Sequence, residues 1–313
     1  MARVEVLPLA DRSPGRREAD AAMSLAERLP RIVLEARRVS ASVAHGIHGR
    51  RRAGTGESFW QFRPFTSGEA MARIDWRRSA RDDRLYVRER EWEAAQSVWL
   101  WMDRSASMGF TSTLASASKI ERALVIGLAL GDALVEGGER IGLMGAMPPR
   151  ASRRIVELLA EAIVADTQGL KADLPPPQAL PPLNEAILIS DFLVEPARLR
   201  NVVETIAARG ARGHCVMIID PVEETFPFRG QAELENPEDG THLRIGDATT
   251  WGEDYRRRIA RHRDEVTAAL ASRGWTLSLH HTDQPASGVV LRLLNLIATS
   301  RGAAALQPLA PGR

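Results

Sequence analysis

An apolar run, followed by an acidic and hydroxyl-rich loop and then a helical pattern, constrains the fold of this chain more than any other feature. The run Ser97–Met102 is short and contains a valine and two tryptophans, which is typical of a buried strand. Asp103, Ser105 and Ser107 follow directly, and a helical pattern begins near Ser118. Ligands of open α/β sheets bind outside the carboxyl ends of the strands, so this loop is a candidate binding site.

Strand and helix patterns alternate regularly after Gln96. The alternation predicts an α/β fold, a doubly wound and mostly parallel sheet with helices on both faces. Residues 221–248 interrupt the alternation and are compatible with a β-hairpin excursion. The predicted strands are 97–102, 140–146, 186–190, 214–219 and 275–280, and the predicted helices are 118–136, 152–165, 197–209, 251–272 and 288–299.

A second carboxylate follows a strand in the same way. Glu185–Ser190 has the pattern of a buried strand, and Asp191 comes directly after it. If these strands are the first and fourth of a sheet ordered 3-2-1-4-5-6, Asp103 and Asp191 face each other where the order reverses. Carboxylate and hydroxyl oxygens suit hard divalent cations. We therefore expect Asp103, Ser105, Ser107 and Asp191 to hold Mg²⁺ or Mn²⁺. The alternative is that each aspartate only caps the helix that follows it.

The chain divides into four expected segments. Residues 1–55 form a helical, partly disordered N-terminal segment, with a helix at 21–44 that Pro30 could split. Residues 56–95 are rich in aromatic and charged residues and are expected to pack on the sheet. The α/β domain occupies 96–300, and 301–313 is expected to be a disordered tail. Together, the first two segments predict an N-terminal helical and β extension of the α/β domain.

Two features of this extension bear on function. No acidic residue occurs from Arg37 to Gly56, so the basic tract Arg37–Arg52, with a predicted loop at 45–56, could contact a nucleic acid or an anionic surface. A solvated loop that meets an acidic protein surface is the other interpretation. Trp76 and Phe65 belong to an aromatic cluster that we expect to be buried, although such a cluster could also stack on single-stranded nucleic acid.

Composition limits the partners and the compartment. The formal net charge is +2, so no strong field of the whole chain attracts nucleic acid. The single cysteine, Cys215, lies in an apolar run and cannot form an internal disulfide, which fits a reducing compartment. The N-terminal residues lack a signal-peptide pattern, and the apolar segment Ala123–Val135 contains Asp132 and is too short to span a bilayer. We therefore expect a cytoplasmic protein.

The sequence resembles the family called domain of unknown function 58 over about residues 55–300. The resemblance rests on two blocks in a fixed order: the Asp103, Ser105, Ser107, Met108 motif, and before it a signature made of Arg63-Pro64-Phe65, Gly68-Glu69, Arg73-Ile74-Asp75-Trp76, Ala80-Arg81 and Val87-Arg88-Glu89. Glu69 stands where the family has aspartate. The segment before the signature lacks the pair of transmembrane helices that many members have, which favours a soluble form.

The resemblance implies a von Willebrand factor A-like domain with a metal-ion-dependent adhesion site. It also implies a MoxR-type AAA+ ATPase as partner, in a chaperone-like assembly or maturation role. A full site of this kind takes a threonine from a further loop, but Met147–Ser152 contains none and Thr167 comes only after the next helix. The expected function is therefore non-enzymatic, cation-dependent protein binding that needs no general base or activated nucleophile.

Two alternatives remain at this point. The first is nucleic-acid binding through the Arg37–Arg52 tract, and the second is a hydrolase that uses the cation as a Lewis acid. Motifs of other enzymes are absent from the sequence: no glycine-rich dinucleotide or P-loop motif occurs. Ser116–Lys119 matches Ser-x-x-Lys without its companion motifs, and helix capping by Ser118 and Glu121 explains it better.

Overall fold

The computed structural model describes residues 14–48, 59–66, 71, 74–81, 84–90, 96–236 and 240–305. The chain folds into two compact units. Residues 46–95 form the smaller unit, and residues 1–45 together with 96–313 form the larger one.

The smaller unit is built on an antiparallel hairpin. Strand β1 (Phe59–Pro64) pairs with β2 (Tyr86–Arg90), and Ile74 forms a further bridge to Val87. The short helix α2 (Trp76–Ser79) is capped by Asp75, whose carboxylate accepts a hydrogen bond of 2.9 Å from the Arg78 backbone N–H.

The expected burial of Trp76 is wrong. Its side chain is 58% exposed, whereas Ile74 and Val87 are buried and Phe65 is half-buried. A two-stranded hairpin has a small apolar face, and here Ile74 and Val87 occupy it, which leaves Trp76 at the surface.

Because Trp76 is mostly exposed, Trp76→Ala should lower the free energy of unfolding by less than about 1 kcal/mol, not by the amount typical of a core tryptophan. Urea unfolding followed by circular dichroism would measure it. Ile74→Ala, in the same unit but 5% exposed, is the matched control and should be clearly more destabilising. Equal losses in the two variants would contradict the exposed position of Trp76.

The larger unit is a six-stranded sheet with helices on both faces. Its spatial order is β10-β7-β6-β3-β4-β5, and all neighbouring pairs are parallel except β4 with β5. When the six strands are numbered along the chain and the sheet is read from its β5 edge, the order is 3-2-1-4-5-6. The predicted doubly wound, mostly parallel α/β fold is confirmed. The strands are β3 (Ser97–Met102), β4 (Arg140–Leu143), β5 (Met147–Arg150), β6 (Glu185–Ser190), β7 (Arg212–Ile219) and β10 (Thr276–His281).

Strand β5 is absent from the sequence prediction. Its two prolines, Pro148 and Pro149, suggested a connection instead of a strand. The strand lies at the edge of the sheet, where a proline without an N–H group removes no ladder hydrogen bond that the sheet needs.

Two apolar layers cover the sheet. One contains α1 (Pro14–His48), α3 (Lys119–Glu136), α4 (Ile155–Ala165) and α8 (Ala286–Ala305), and the other contains α5 (Pro196–Ala207) and α7 (Gly252–Ala271). The short helix α6 (Pro221–Thr225) follows β7, and a small hairpin of β8 (Ala232–Glu235) and β9 (His242–Ile245) precedes α7, which confirms the hairpin excursion.

The long N-terminal helix is part of the α/β unit. It runs through Pro30 without ending there and continues to His48, so 45–48 is helical and not loop as predicted. Its apolar stripe is buried in the core, and Glu35 binds Arg122 of α3 at 3.3 Å. Helix α8 likewise continues to Ala305, beyond its predicted end and into the predicted tail. Residues 306–313 lie outside the described part of the chain.

Candidate functional site

Asp103 lies at the carboxyl end of the central strand β3. Its side chain is 1% exposed, and its two carboxylate oxygens accept hydrogen bonds from the Ser105 backbone N–H at 2.8 Å and from the Ser190 hydroxyl at 2.6 Å. No basic side chain among the described residues forms an ion pair with it. Burial raises the pKa of Asp103 to about 6, and the nearby negative charge of Asp191 adds to the increase. Asp103 is therefore a buried carboxylate that no basic side chain in the described part of the chain neutralises.

Two hydroxyls accompany this carboxylate. Ser105 is buried and Ser107 is half-buried, and their Oγ atoms are 3.3 Å apart. The loop continues as a short 3₁₀ turn, Ala106–Gly109, in which Met108 is buried and anchors the loop to the core. Asp103, Ser105 and Ser107 therefore lie together at the carboxyl end of β3, as their spacing in the sequence predicts.

Asp191 follows β6, which pairs directly with β3, and it lies close enough to Asp103 for its charge to act there. Its carboxylate is already bound: Oδ2 accepts a hydrogen bond of 2.8 Å from the Nζ of Lys119, and Oδ1 accepts one of 3.1 Å from the Leu193 backbone N–H. The same ammonium lies 2.6 Å from Oε1 of Glu223. The two aspartates of the predicted site thus have different environments.

The sequence did not predict that Lys119 is buried here and pairs with Asp191 and Glu223. Lys119 is 1% exposed although it is the first residue of α3. Burial by itself lowers the pKa of Lys119, but Asp191 and Glu223 outweigh burial and hold that pKa above its usual value. The signals in the sequence were helix caps, Ser118 with Glu121 and Asp220 with Glu223, and both form capping boxes in the structure. A capping motif predicts where a helix begins, but it does not predict which charged side chain of another element will contact that helix end.

Asp220 also lies at the buried carboxyl end of the sheet. It is fully buried, and its carboxylate accepts hydrogen bonds from the backbone N–H groups of Ser112 and Val222, both at 3.0 Å, and from the Thr282 hydroxyl at 3.3 Å. Asp220 therefore links the segments that follow β3, β7 and β10.

Arg104 ties the loop after α4 to the site. Its guanidinium donates to the backbone oxygens of Ile163 at 2.6 Å and Asp166 at 3.0 Å and also pairs with the Asp166 carboxylate. Thr167 follows Asp166 and is exposed. Thr167 is the threonine considered above as a further ligand. Through Asp166, its loop is bound to Arg104, the residue next to Asp103.

A family model described as protein of unknown function DUF58 matches residues 61–265. The match includes both the signature segment and the Asp103 loop. The chain belongs to this family. The order of its strands agrees with the von Willebrand factor A-like fold that the resemblance to DUF58 implies.

Relatives of this DUF58 chain include the uncharacterized protein Rv1480 of Mycobacterium tuberculosis (strain ATCC 25618 / H37Rv) and the uncharacterized protein Mb1516 of Mycobacterium bovis. Each is 27% identical over 280 residues, which cover 83% of this chain and 86% of the relative. Among solved structures, an aerotolerance-related membrane protein from Bacteroides fragilis is similar with 13% identity and a TM-score of 0.39, covering 66% of this chain and all of that one. The SpRpn10 VWA domain is similar with 12% identity and a TM-score of 0.32, covering 63% and 94%.

The oxygen donors of this DUF58 site are chemically suited to a hard divalent cation. When ionised, three carboxylates, Asp103, Asp191 and Glu223, and one ammonium, Lys119, leave a net charge of minus two. No cluster of three or more His, Cys, Asp or Glu side chains in the described residues is arranged to hold a metal. A cation would therefore depend on the Ser105 and Ser107 hydroxyls beside Asp103, a donor set of the oxygen type that Mg²⁺ and Mn²⁺ accept.

The basic tract and the two histidines at the end of β10 make contacts of their own. In the basic tract, Arg37 pairs with Glu157 of α4, and Arg50, Arg51 and Arg52 lie outside the described residues. His281 bonds to Glu224 at 2.6 Å, while burial lowers the pKa of His280 to about 4. Within the described residues, no helix has the length and apolar character needed to cross a membrane.

Proposed function

We propose that this DUF58 chain is a non-enzymatic protein-interaction module that engages a partner at the carboxyl end of its sheet, through Mg²⁺ or Mn²⁺. The observation that carries the proposal is Asp103, a buried carboxylate without a counter-charge among the described residues, beside two hydroxyls 3.3 Å apart. Ionising such a group is costly unless a cation accompanies it. A bound cation would supply positive charge for a carboxylate of the partner.

The surroundings of the site favour a protein as the ligand. Leu114 in the loop after β3 is 57% exposed, and Leu193 in the loop after β6 is 48% exposed. A small open cavity borders Asp191 and Glu223, and Leu193, Met217 and Ile259 contribute to its wall. Apolar groups around a polar centre are the usual composition of a protein-binding surface.

The family resemblance points to a MoxR-type AAA+ ATPase as the partner, in an assembly or maturation role. In this proposal the Ser105 and Ser107 hydroxyls and the Asp103 carboxylate hold the ion, and the exposed leucines contact the partner. The Ser190 hydroxyl that donates to Asp103 is fully buried and also accepts a hydrogen bond of 2.9 Å from the Phe192 backbone N–H, so it holds the carboxylate in place and is not open to a substrate. A binding role needs no activated nucleophile at this site.

Calorimetric titration with Mg²⁺ tests the cation. Binding in the micromolar to millimolar range, about −8 to −4 kcal/mol, is expected for the wild type because few charged ligands are available. Asp103→Asn and Ser105→Ala should abolish the heat, whereas Ser116→Ala, an exposed serine in the same loop, should retain it. Equal heats for the wild type and Asp103→Asn would exclude this site.

Capture of the purified MoxR-type ATPase tests the partner. Capture should be lost with EDTA, restored by Mg²⁺, and absent in Asp103→Asn and Ser105→Ala. Replacing Arg50, Arg51 and Arg52 together by alanine should have a much smaller effect, because salt screens such charges. Capture that survives EDTA and Asp103→Asn but fails in the triple variant would make the basic tract the functional surface.

A further inference from the structure

Lys119 is a cation that the chain itself places at the edge of the proposed metal site. Its ammonium lies 2.8 Å from Asp191 and 2.6 Å from Glu223, and 5.7 Å from the centre of the Phe110 ring. Helix α3 begins at this residue, and the hydrogen bond of 3.2 Å from its backbone N–H to the Phe110 carbonyl joins it to the loop of Asp103, Ser105 and Ser107. The ammonium is therefore held by a helix start and by two carboxylates.

This ammonium changes which oxygens a divalent ion could use. Without it, neither the buried Asp191 nor the half-buried Glu223 would be paired with an ammonium, and carboxylate oxygens are ligands that hard cations accept. With it, Asp191 and Glu223 are bound to Lys119, and only Asp103 stays without a counter-charge among the described residues. The negative charge of Asp191 acts on Asp103, so Lys119 binds a carboxylate that lies beside the proposed ion site.

We propose that Lys119 is a built-in counter-cation that keeps divalent-cation binding at this site weak and reversible, by holding Asp191 and Glu223 away from the ion. The inference rests on the proposed cation site at Asp103 and assigns to Lys119 the role of a positioning residue that sets the affinity of that site. A weakly held ion suits a module that must release its partner. Removing the ammonium should therefore increase the affinity for Mg²⁺, the opposite of what damage to a structural residue would do.

The test compares Mg²⁺ titrations of the wild type, Lys119→Met, and the double variant Lys119→Met with Glu223→Gln. Methionine preserves the unbranched apolar stem, and the double variant leaves the net charge of these groups at minus two while it frees Asp191. In the double variant, Glu223→Gln removes one of the two carboxylates that Lys119→Met would leave without an ammonium. The double variant should therefore fold even if Lys119→Met alone does not. Both folded variants should bind Mg²⁺ at least about tenfold more tightly than the wild type, a difference of about 1.4 kcal/mol.

Lys171→Met is the matched control, because Lys171 is exposed and is the other lysine of the chain. It should leave the Mg²⁺ affinity unchanged. Unchanged or weaker binding in the folded Lys119 variants, with binding retained in the wild type, would overturn the role of Lys119 but not the cation site. An absence of binding in the wild type and in all variants would overturn both. Binding that appears only after Lys119 is replaced would support the role of Lys119 directly.

Discussion

Replacing Asp191 with alanine is expected to destabilise the α/β unit by about 3 kcal/mol, near the lower end of the range for breaking a buried ion pair. The reason is that Lys119 would remain buried with only Glu223 to balance its charge. The substitution also removes the hydrogen bond from the Leu193 backbone N–H to the Asp191 carboxylate. That bond stabilises a turn in which Phe192 has a φ of 49°, in the left-handed region that disfavours side chains.

Urea unfolding at pH 7 in EDTA would measure this loss. Asp191→Asn should be less damaging than Asp191→Ala because an amide oxygen can still accept from the Leu193 N–H. Asp173→Ala is the matched control, since Asp173 forms a bidentate pair with Arg198 at 2.8 and 3.0 Å on an exposed surface. Breaking an exposed pair should cost less than about 1 kcal/mol. Similar losses for Asp191→Ala and Asp173→Ala would show that the Lys119 pair is not buried in solution.

Replacing Asp103 with asparagine should have the opposite effect and stabilise the metal-free protein by about 2 kcal/mol at pH 7. The pKa of Asp103 in the folded protein, about 6, lies above its ordinary value of 3.8, so its ionisation disfavours the folded state by roughly 3 kcal/mol at neutral pH. Asparagine removes this cost, keeps an acceptor for the Ser105 N–H, and loses the donation from the Ser190 hydroxyl, worth about 1 kcal/mol.

The sign of the pH dependence follows from the raised pKa. The folded protein holds the Asp103 proton more tightly than the unfolded chain does, so the wild type loses stability as the pH rises from about 4 to about 6. The advantage of Asp103→Asn should therefore grow over this range and then stay constant. Thermal unfolding of both proteins at a series of pH values in EDTA would measure it. An advantage that is the same at pH 4 and at pH 7 would contradict an ionised, uncompensated Asp103.

Together the two substitutions separate the aspartates of one site by their physical roles. Asp191 with Lys119 contributes to stability, whereas ionised Asp103 reduces it. A buried charged group that reduces stability is a typical sign of a functional role. For this reason we place the ligand of the proposed cation at Asp103 rather than at Asp191.

The alternation of apolar runs and helical patterns was sufficient to predict the doubly wound sheet and the position of Asp103, Ser105 and Ser107. These three residues lie within five positions of one another at the end of a strand, so local spacing places them in one loop. The order of the strands then brings the end of β6, and with it Asp191, beside that loop. Local patterns carry this information because periodicity determines which elements form and which faces they bury.

Only the tertiary structure decided what the charged groups do. Lys119 is 72 residues from Asp191 and 104 residues from Glu223 in the chain, so no local pattern records that they meet. The same holds for Trp76, whose exposure depends on how little apolar surface its small unit offers. The pairing of a buried charge depends on which side chains the packed elements bring within a few ångströms. The pairing of buried charges is therefore determined by the assembled fold, whereas the periodicity of the sequence determines which helices and strands form.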